Sequence, residues 1–286
     1  MNPWKNEWGR AEASRPVPDR LHHIQVMDWS VFESSVASGD LTFVREFVQS
    51  LSRGAAWIFK GAFPDDFVRH IREATAAWER SRPESFHKML DGCPDFHRQI
   101  SPEVSKLYSI LAVKHSAYFF RWNDDPLNLW ATISQRWRVL KTVMGMEPHQ
   151  YELNSPSMGP VDRIQVVRYP PTIGYLEPHR DAYQHQRCFI SGYLSKRGVD
   201  YQGGGFYFVN RHNKAMYAED DIDPGDLCIG HANILHGVAP CDRGKPADWN
   251  STDGRWFLGL YSNASDHVAK RNTSKPEKVI VEGVLP

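Results

Sequence analysis

His179 and Asp181 stand one residue apart, and a second histidine, His236, follows 55 residues after Asp181. Two imidazoles and one carboxylate form the ligand set that holds Fe(II) on one face and leaves positions open for substrate and O2. Alternate residues of an extended strand share a face, so His-x-Asp points both ligands the same way. The second histidine then has to come from a neighbouring strand. His231 competes for that position, since both histidines lie in Gly230-His231-Ala232-Asn233-Ile234-Leu235-His236; the Gly237-Val238 that follows favours His236. Arg255 opens the apolar run Trp256-Phe257-Leu258-Gly259-Leu260-Tyr261, 19 residues after His236. Its planar fork matches a carboxylate bidentately, where a lysine acts as a point charge. Arg243 competes with it but sits in the polar loop Cys241-Asp242-Arg243-Gly244-Lys245-Pro246, where an exposed arginine is the default.

Five segments give these residues a context. They are Tyr169-Pro170-Pro171 with Gly174 and His179-Arg180-Asp181, then Gly203-Gly204-Gly205-Phe206, Pro224-Gly225-Asp226-Leu227, His236-Gly237-Val238, and Gly254-Arg255-Trp256-Phe257. In this order they resemble the 2-oxoglutarate/Fe(II) dioxygenases, over residues 163–263, about a third of the chain. The resemblance implies that His179, Asp181 and His236 bind Fe(II), and that Arg255 pairs with the distal carboxylate of 2-oxoglutarate. It also implies a double-stranded β-helix, the jelly roll of that family. The implied reaction couples O2 and 2-oxoglutarate to hydroxylation of a substrate C–H, with release of succinate and CO2. Asp181 stands where the family's halogenases carry a small residue, which argues against halogenation. Desaturation or cyclisation uses the same ligands and stays open, as does hydroxylation of a protein residue. A zinc-dependent hydrolase, or a jelly roll that only binds, are the readings from other classes.

Other residues are placed by strand parity and by neighbourhood. Gln165 shares a face with Val167 and Tyr169, so Gln165 and Tyr169 are expected to reach the co-substrate, with Arg168 on the same strand. Tyr183, His185 and Arg187 follow the metal motif and are expected to face the substrate. So is Arg121, in the aromatic stretch 115–125, read either as lid or as a helix end. These cations suggest a small polar acid, an amino-acid derivative or an acidic sugar.

Composition frames the rest. At 286 residues the chain suits a single domain over 1–286, with a mainly helical part carrying lid segments at 1–160, a jelly-roll core at 161–265 and a C-terminal arm at 266–286. The net charge of +0 gives no basic stripe for nucleic acid, so the expected partner is a small molecule. No apolar run approaches a membrane span, the N-terminus does not read as a signal peptide, and a cytoplasmic location is the default. Cys93, Cys188, Cys228 and Cys241 lack zinc or redox spacing and are expected as thiols.

In the first part, Asp40 is expected to cap a helix buried at Leu41, Val44, Val48 and Leu51, with a strand at 57–59 to follow. Pro64, Ser101-Pro102 and Asp125-Pro126 each open a further helix; the second carries Val104, Leu107, Tyr108 and Leu111. Short runs broken by glycine and proline at 163–169, 188–194, 205–209, 226–229, 235–238 and 255–262 predict the strands of a sandwich or barrel. Gly203-Gly204-Gly205 predicts a tight turn or a close backbone approach. The tail from 279 to 281 predicts an arm or an edge strand.

Overall fold

A computed structural model describes residues 2–284; residues 1, 285 and 286, the outer ends of the expected N-terminal part and C-terminal arm, lie outside the described residues. The helices are α1 (Pro3–Ser14), α2 (Trp29–Ser38), α3 (Leu41–Ser52), α4 (Asp65–Arg80), α5 (Pro102–Ser105) and α6 (Trp130–Val143). The strands are β1 (His23–Asp28), β2 (Ala55–Lys60), β3 (Phe96–Ile100), β4 (Ala112–Phe120), β5 (Pro160–Tyr169), β6 (Tyr175–Arg180) and β7 (Cys188–Tyr193). They continue as β8 (Gly205–Val209), β9 (Ala215–Tyr217), β10 (Leu227–His231), β11 (His236–Ala239), β12 (Arg255–Ala264) and β13 (Lys275–Pro276).

Local signals explain most helix starts. The Asp40 carboxylate accepts from Thr42 N at 3.0 Å and opens α3, whose Val44, Phe47, Val48 and Leu51 are buried on one stripe. Asp65 and Asp66 in the first turn of α4 and Arg80 in the last complement its dipole. Asp125 accepts from Leu129 N and Trp130 N at 2.8 and 2.9 Å, which starts α6. The helix expected through Leu107 and Leu111 does not form: α5 is a single turn, and Leu107 and Leu111 stay exposed. The backbone is needed next door, since β4 begins at Ala112 and pairs with three strands. Residues 115–120, read above as lid or helix end, are therefore sheet.

The strands form one curled sheet in the order β1-β2-β10-β7-β12-β5-β4-β6-β11-β8-β9, with β3 on β4 and β13 on β6. β1 and β2 pair in parallel and the other pairs are antiparallel. This is the expected jelly roll with flanking helices, enlarged by four strands from the supposedly helical first part. Parity along β5 sorts the two cores. Ile164 and Val166 join Trp256, Leu258 and the helices in the outer core. Val167 and Tyr169 join Phe189, Tyr193, Phe206 and Phe208 inside the curl. Among the described residues no helix is long and apolar enough to cross a membrane, and the four cysteines are free thiols.

One buried ion pair ties the helical layer to the sheet. Lys141 Nζ of α6 lies 2.5 Å from Asp162 Oδ2 of β5, and Ser262 of β12 donates to Asp162 Oδ1 at 2.8 Å. Burial lowers the lysine's affinity for its proton and raises the carboxylate's, so each charge depends on the other. Removing one partner of such a pair costs about 3–5 kcal/mol. Arg121 Nε, 3.7 Å from Asp162, offsets part of the loss. Lys141→Met should therefore cost about 3 kcal/mol in urea denaturation, and Lys141→Met with Asp162→Asn should cost less. An unshifted midpoint in the single variant would show that the pair contributes nothing.

Candidate metal centre and its cavity

β6 and β11 pair antiparallel with His236 directly across from His179. That register brings the two imidazoles to ring centroids 4.4 Å apart. Asp181 follows β6, and its backbone N–H donates to the Ala232 carbonyl at 2.9 Å, which anchors it beside them. Its Oδ1 lies 3.7 Å from His179 Nε2, and its Oδ2 3.6 Å from His236 Nε2. One ligand atom from each of the three falls within 4.8 Å of the others.

The outer nitrogens fix the tautomers. His179 Nδ1 faces the Glu177 carbonyl at 3.0 Å, and His236 Nδ1 faces that of Ile234 at 2.8 Å. A carbonyl only accepts, so each Nδ1 carries the proton and each Nε2 presents its lone pair toward Asp181. Burial, then the neighbouring His236, pulls His179 down to about 4, so it is neutral at pH 7. Ser274 Oγ, from the C-terminal segment, donates to Asp181 Oδ1 at 2.8 Å and orients the carboxylate. His231 has other work: it stacks on Tyr183 at 4.9 Å, and its Nδ1 accepts from Asn233 N.

Arg255 stands opposite Tyr169 at the other end of the inner core. Its Nε donates to Glu219 Oε1 at 2.6 Å, while Glu219 Oε2 accepts from Tyr201 OH at 2.6 Å and Phe206 N at 2.7 Å. Burial alone would lower the arginine's basicity, but Glu219 and the surrounding tyrosines push it up, so its charge is secure. Arg255 Nη2 and the Tyr193 hydroxyl are buried with no hydrogen-bond partner. The guanidinium carbon lies 5.7 Å from the Tyr193 ring. Phe206 spans the interval, 6.4 Å from Tyr193 and 5.5 Å from His236 between ring centroids. The triple glycine makes this possible. Gly205, at φ +91°, would carry a Cβ 2.0 Å from Glu219 Oε2, and a Cβ on Gly204 would meet the Pro240 carbonyl.

A cavity of about 260 Å³ opens beside this cluster, bordered by His179, Asp181 and Ser274. Lys114, Arg163, Gln165, Tyr118 and Tyr261 form its polar wall. Gln165 thus faces the cavity, whereas Tyr169 and Arg255 lie deeper in the inner core and do not line it. Arg168 is on the opposite face of β5, where it donates to the carbonyls of Asp248, Trp249 and Asp253; parity excludes it from the pocket. The expected substrate residues are also bound elsewhere. Arg121 pairs with Glu152 and lies 4.3 Å over Trp130. Arg187 and Tyr183 both bond Glu12 of α1, and His185 meets Tyr151 edge-on. Arg187 and Tyr183 form a latch for the first helix, a role that their sequence proximity to the metal motif disguises. Lys114, Arg163, Tyr193 and Glu219 escape a reading of the sequence. For Arg163 and Tyr193, strand parity in the runs identified there is a usable signal; for Glu219 there is none.

The sequence matches no family model and no curated protein. Among solved structures, a C-terminally truncated Neurospora crassa protein in apo form has a TM-score of 0.51 at 12% identity, covering 86% of this chain and 96% of that one. The full-length Neurospora crassa protein in complex with alpha-KG and 5-formyluracil has the same TM-score and identity, covering 87% and 86%. A Pseudomonas putida prolyl-4-hydroxylase has a TM-score of 0.48 at 13% identity, covering 77% and 98%. The two Neurospora crassa structures show that the chain has their fold.

The geometry separates ligands from bystanders. His179→Ala, Asp181→Ala and His236→Ala should each abolish stoichiometric binding of Fe(II) or Co(II) in anaerobic calorimetry, with the fold retained by circular dichroism. Ser274→Ala should weaken it about tenfold, the lower end for a residue that orients a ligand, and His231→Ala should leave it unchanged. Loss of metal in His231→Ala with retention in His236→Ala would reverse the assignment.

Proposed function

We propose that this chain is an Fe(II)- and 2-oxoglutarate-dependent oxygenase that hydroxylates a C–H of a small polar metabolite and releases succinate and CO2. One observation carries the reading: three ligand atoms converge at one point with both histidine protons fixed on the outer nitrogens. His179, Asp181 and His236 would hold the metal, leaving positions open on the cavity side. Iron, 2-oxoglutarate and O2 supply the oxidising chemistry, and the chain supplies binding, orientation and a dry surround.

The residues also suit the co-substrate. A carboxylate satisfies both orphan donors, Arg255 Nη2 and the Tyr193 hydroxyl. Glu219 occupies Nε and holds the planar fork, so the incoming carboxylate is offered the Nη edge. The apolar Phe206, which touches both Tyr193 and His236, suits the methylenes that separate the ends of 2-oxoglutarate. The Neurospora crassa protein, which shares the fold, binds alpha-KG; the reading for this chain rests on its own donors.

Two outcomes follow. Fe(II) and 2-oxoglutarate added without oxygen should give the weak visible charge-transfer band of a chelated keto acid; a metal-loaded protein with no band would refute the reading. Retained zinc with no response to 2-oxoglutarate would favour the hydrolase. Arg255→Ala should weaken 2-oxoglutarate by well over tenfold, since a buried charge-assisted pair contributes about 2–5 kcal/mol. Tyr193→Phe should weaken it about tenfold, as expected for one hydrogen bond to a charged group. Both should keep their metal, and Arg243→Ala should bind 2-oxoglutarate as the parent does.

A further inference from the structure

Lys114 and Arg163 bring two positive charges into the cavity that His179 and Asp181 border. Lys114 sits where β4 changes partner: Val113 pairs with β6 and His115 with β5. Its ammonium is near enough to Arg163 and Asp181 to sense both charges. The guanidinium of Arg163 lies between two aromatic rings, 5.4 Å from Tyr118 and 5.0 Å from Tyr261. Its Nε is buried with no hydrogen-bond partner, and its Nη2 has one long contact, 3.4 Å, to Gln165 Oε1. Arg271, also in the lining, is already paired with Asp266 at 3.1 Å. Among the described residues neither Lys114 nor Arg163 has a carboxylate within ion-pair distance, and Asp181 is committed to the metal site.

Two like charges held together in a confined site cost free energy unless an anion compensates them. Arg163 is also preorganised, because its flanking rings fix the plane of the fork. The same cavity is also lined by apolar Phe86, Met89, Phe96 and Phe120; Phe96 stacks on Tyr118 at 4.6 Å. We infer that Lys114 and Arg163 clamp an oxyanion of the substrate, a carboxylate or a phosphate ester borne on a flat apolar body. This assignment rests on the oxygenase reading for the word substrate, while the anion site stands on its own contacts. It moves substrate recognition from Arg121 and Arg187 to a pair on β4 and β5. An anion held there keeps the rest of the molecule inside the cavity beside the metal ligands.

The test is calorimetric titration of phenylacetate, phenyl phosphate and neutral phenylacetamide at low salt. Each is added to protein loaded with Fe(II) and 2-oxoglutarate without oxygen, and to metal-free protein. Anions should bind about tenfold or more tightly than phenylacetamide, and the stronger of the two anions identifies carboxylate or phosphate. Lys114→Met and Arg163→Met should each lower anion affinity about tenfold or more, with 2-oxoglutarate affinity and the melting temperature little changed. Arg163→Lys, which retains the charge but not the fork, should keep part of the binding and guards against a folding defect. Equal binding of neutral and anionic probes, or no anion binding at any concentration reached, overturns the inference. Loss of 2-oxoglutarate rather than probe in these variants, with Arg255→Ala silent, assigns the pair to the co-substrate and overturns it too. Anion binding to a protein that shows no chelate band retains the anion site and removes the oxygenase reading alone.

Discussion

β4 belongs to both halves of the curl, and the site depends on that double membership. Its first residues pair with β6, which carries His179, and the remainder pair with β5, whose other edge pairs with β12, the strand that begins at Arg255. A strand has one hydrogen-bonding edge on each side, so pairing different stretches with different partners forces the sheet to bend at the change of partner. The bend turns β6 and β11, which carry the two histidines, over the floor formed by β5, β7 and β12. Without it, the histidine pair and Arg255 would lie on separate open sheets.

Within that frame the chemistry is divided by depth. The candidate ligands sit beside the cavity, where burial holds His179 neutral and carbonyl acceptors pin both histidines. Arg255 sits deeper, charged because Glu219 compensates it, yet with one edge free. The apolar Phe206 separates the two environments. A buried arginine with no carboxylate beside it would be costly in the empty protein; Glu219 removes that cost and leaves the outward donors available. The three glycines before β8 are the geometric condition for this, since a side chain at Gly205 would occupy the position of the Glu219 carboxylate.

The termini act on the same site from outside. Glu12 of α1 holds Tyr183 and Arg187 just beyond the metal strand, and Trp8 of the same helix donates to Val143 O of α6 at 2.8 Å. At the other end, β13 pairs with β6 at His179 and Arg180, and Ser274 reaches Asp181. The second reads in the sequence only as an arm, and both segments pack against the residues that follow β6.

Residue type and spacing are enough to pick out the three side chains that converge and most of the jelly-roll strands. Metal ligation needs a fixed set of donor types, and strand parity converts one-residue spacing into a shared face. The cap at Asp40 is legible for the same reason, because a cap acts within a few residues of itself. Tertiary structure alone decides what depends on distant partners. Arg168 and Gln165 lie three residues apart on one strand, and only the side on which the helices pack separates a structural arginine from a cavity residue. Arg121 and Arg187 read as substrate cations because nothing local shows that Glu152 and Glu12 neutralise them. The helix after Ser101 shows the same dependence in the backbone: its apolar spacing suits a longer helix, but it stops after one turn because β4 begins at Ala112. Sequence carries the chemistry of a residue and its nearest periodicity, whereas which charges remain unpaired is settled by contacts made across the whole chain.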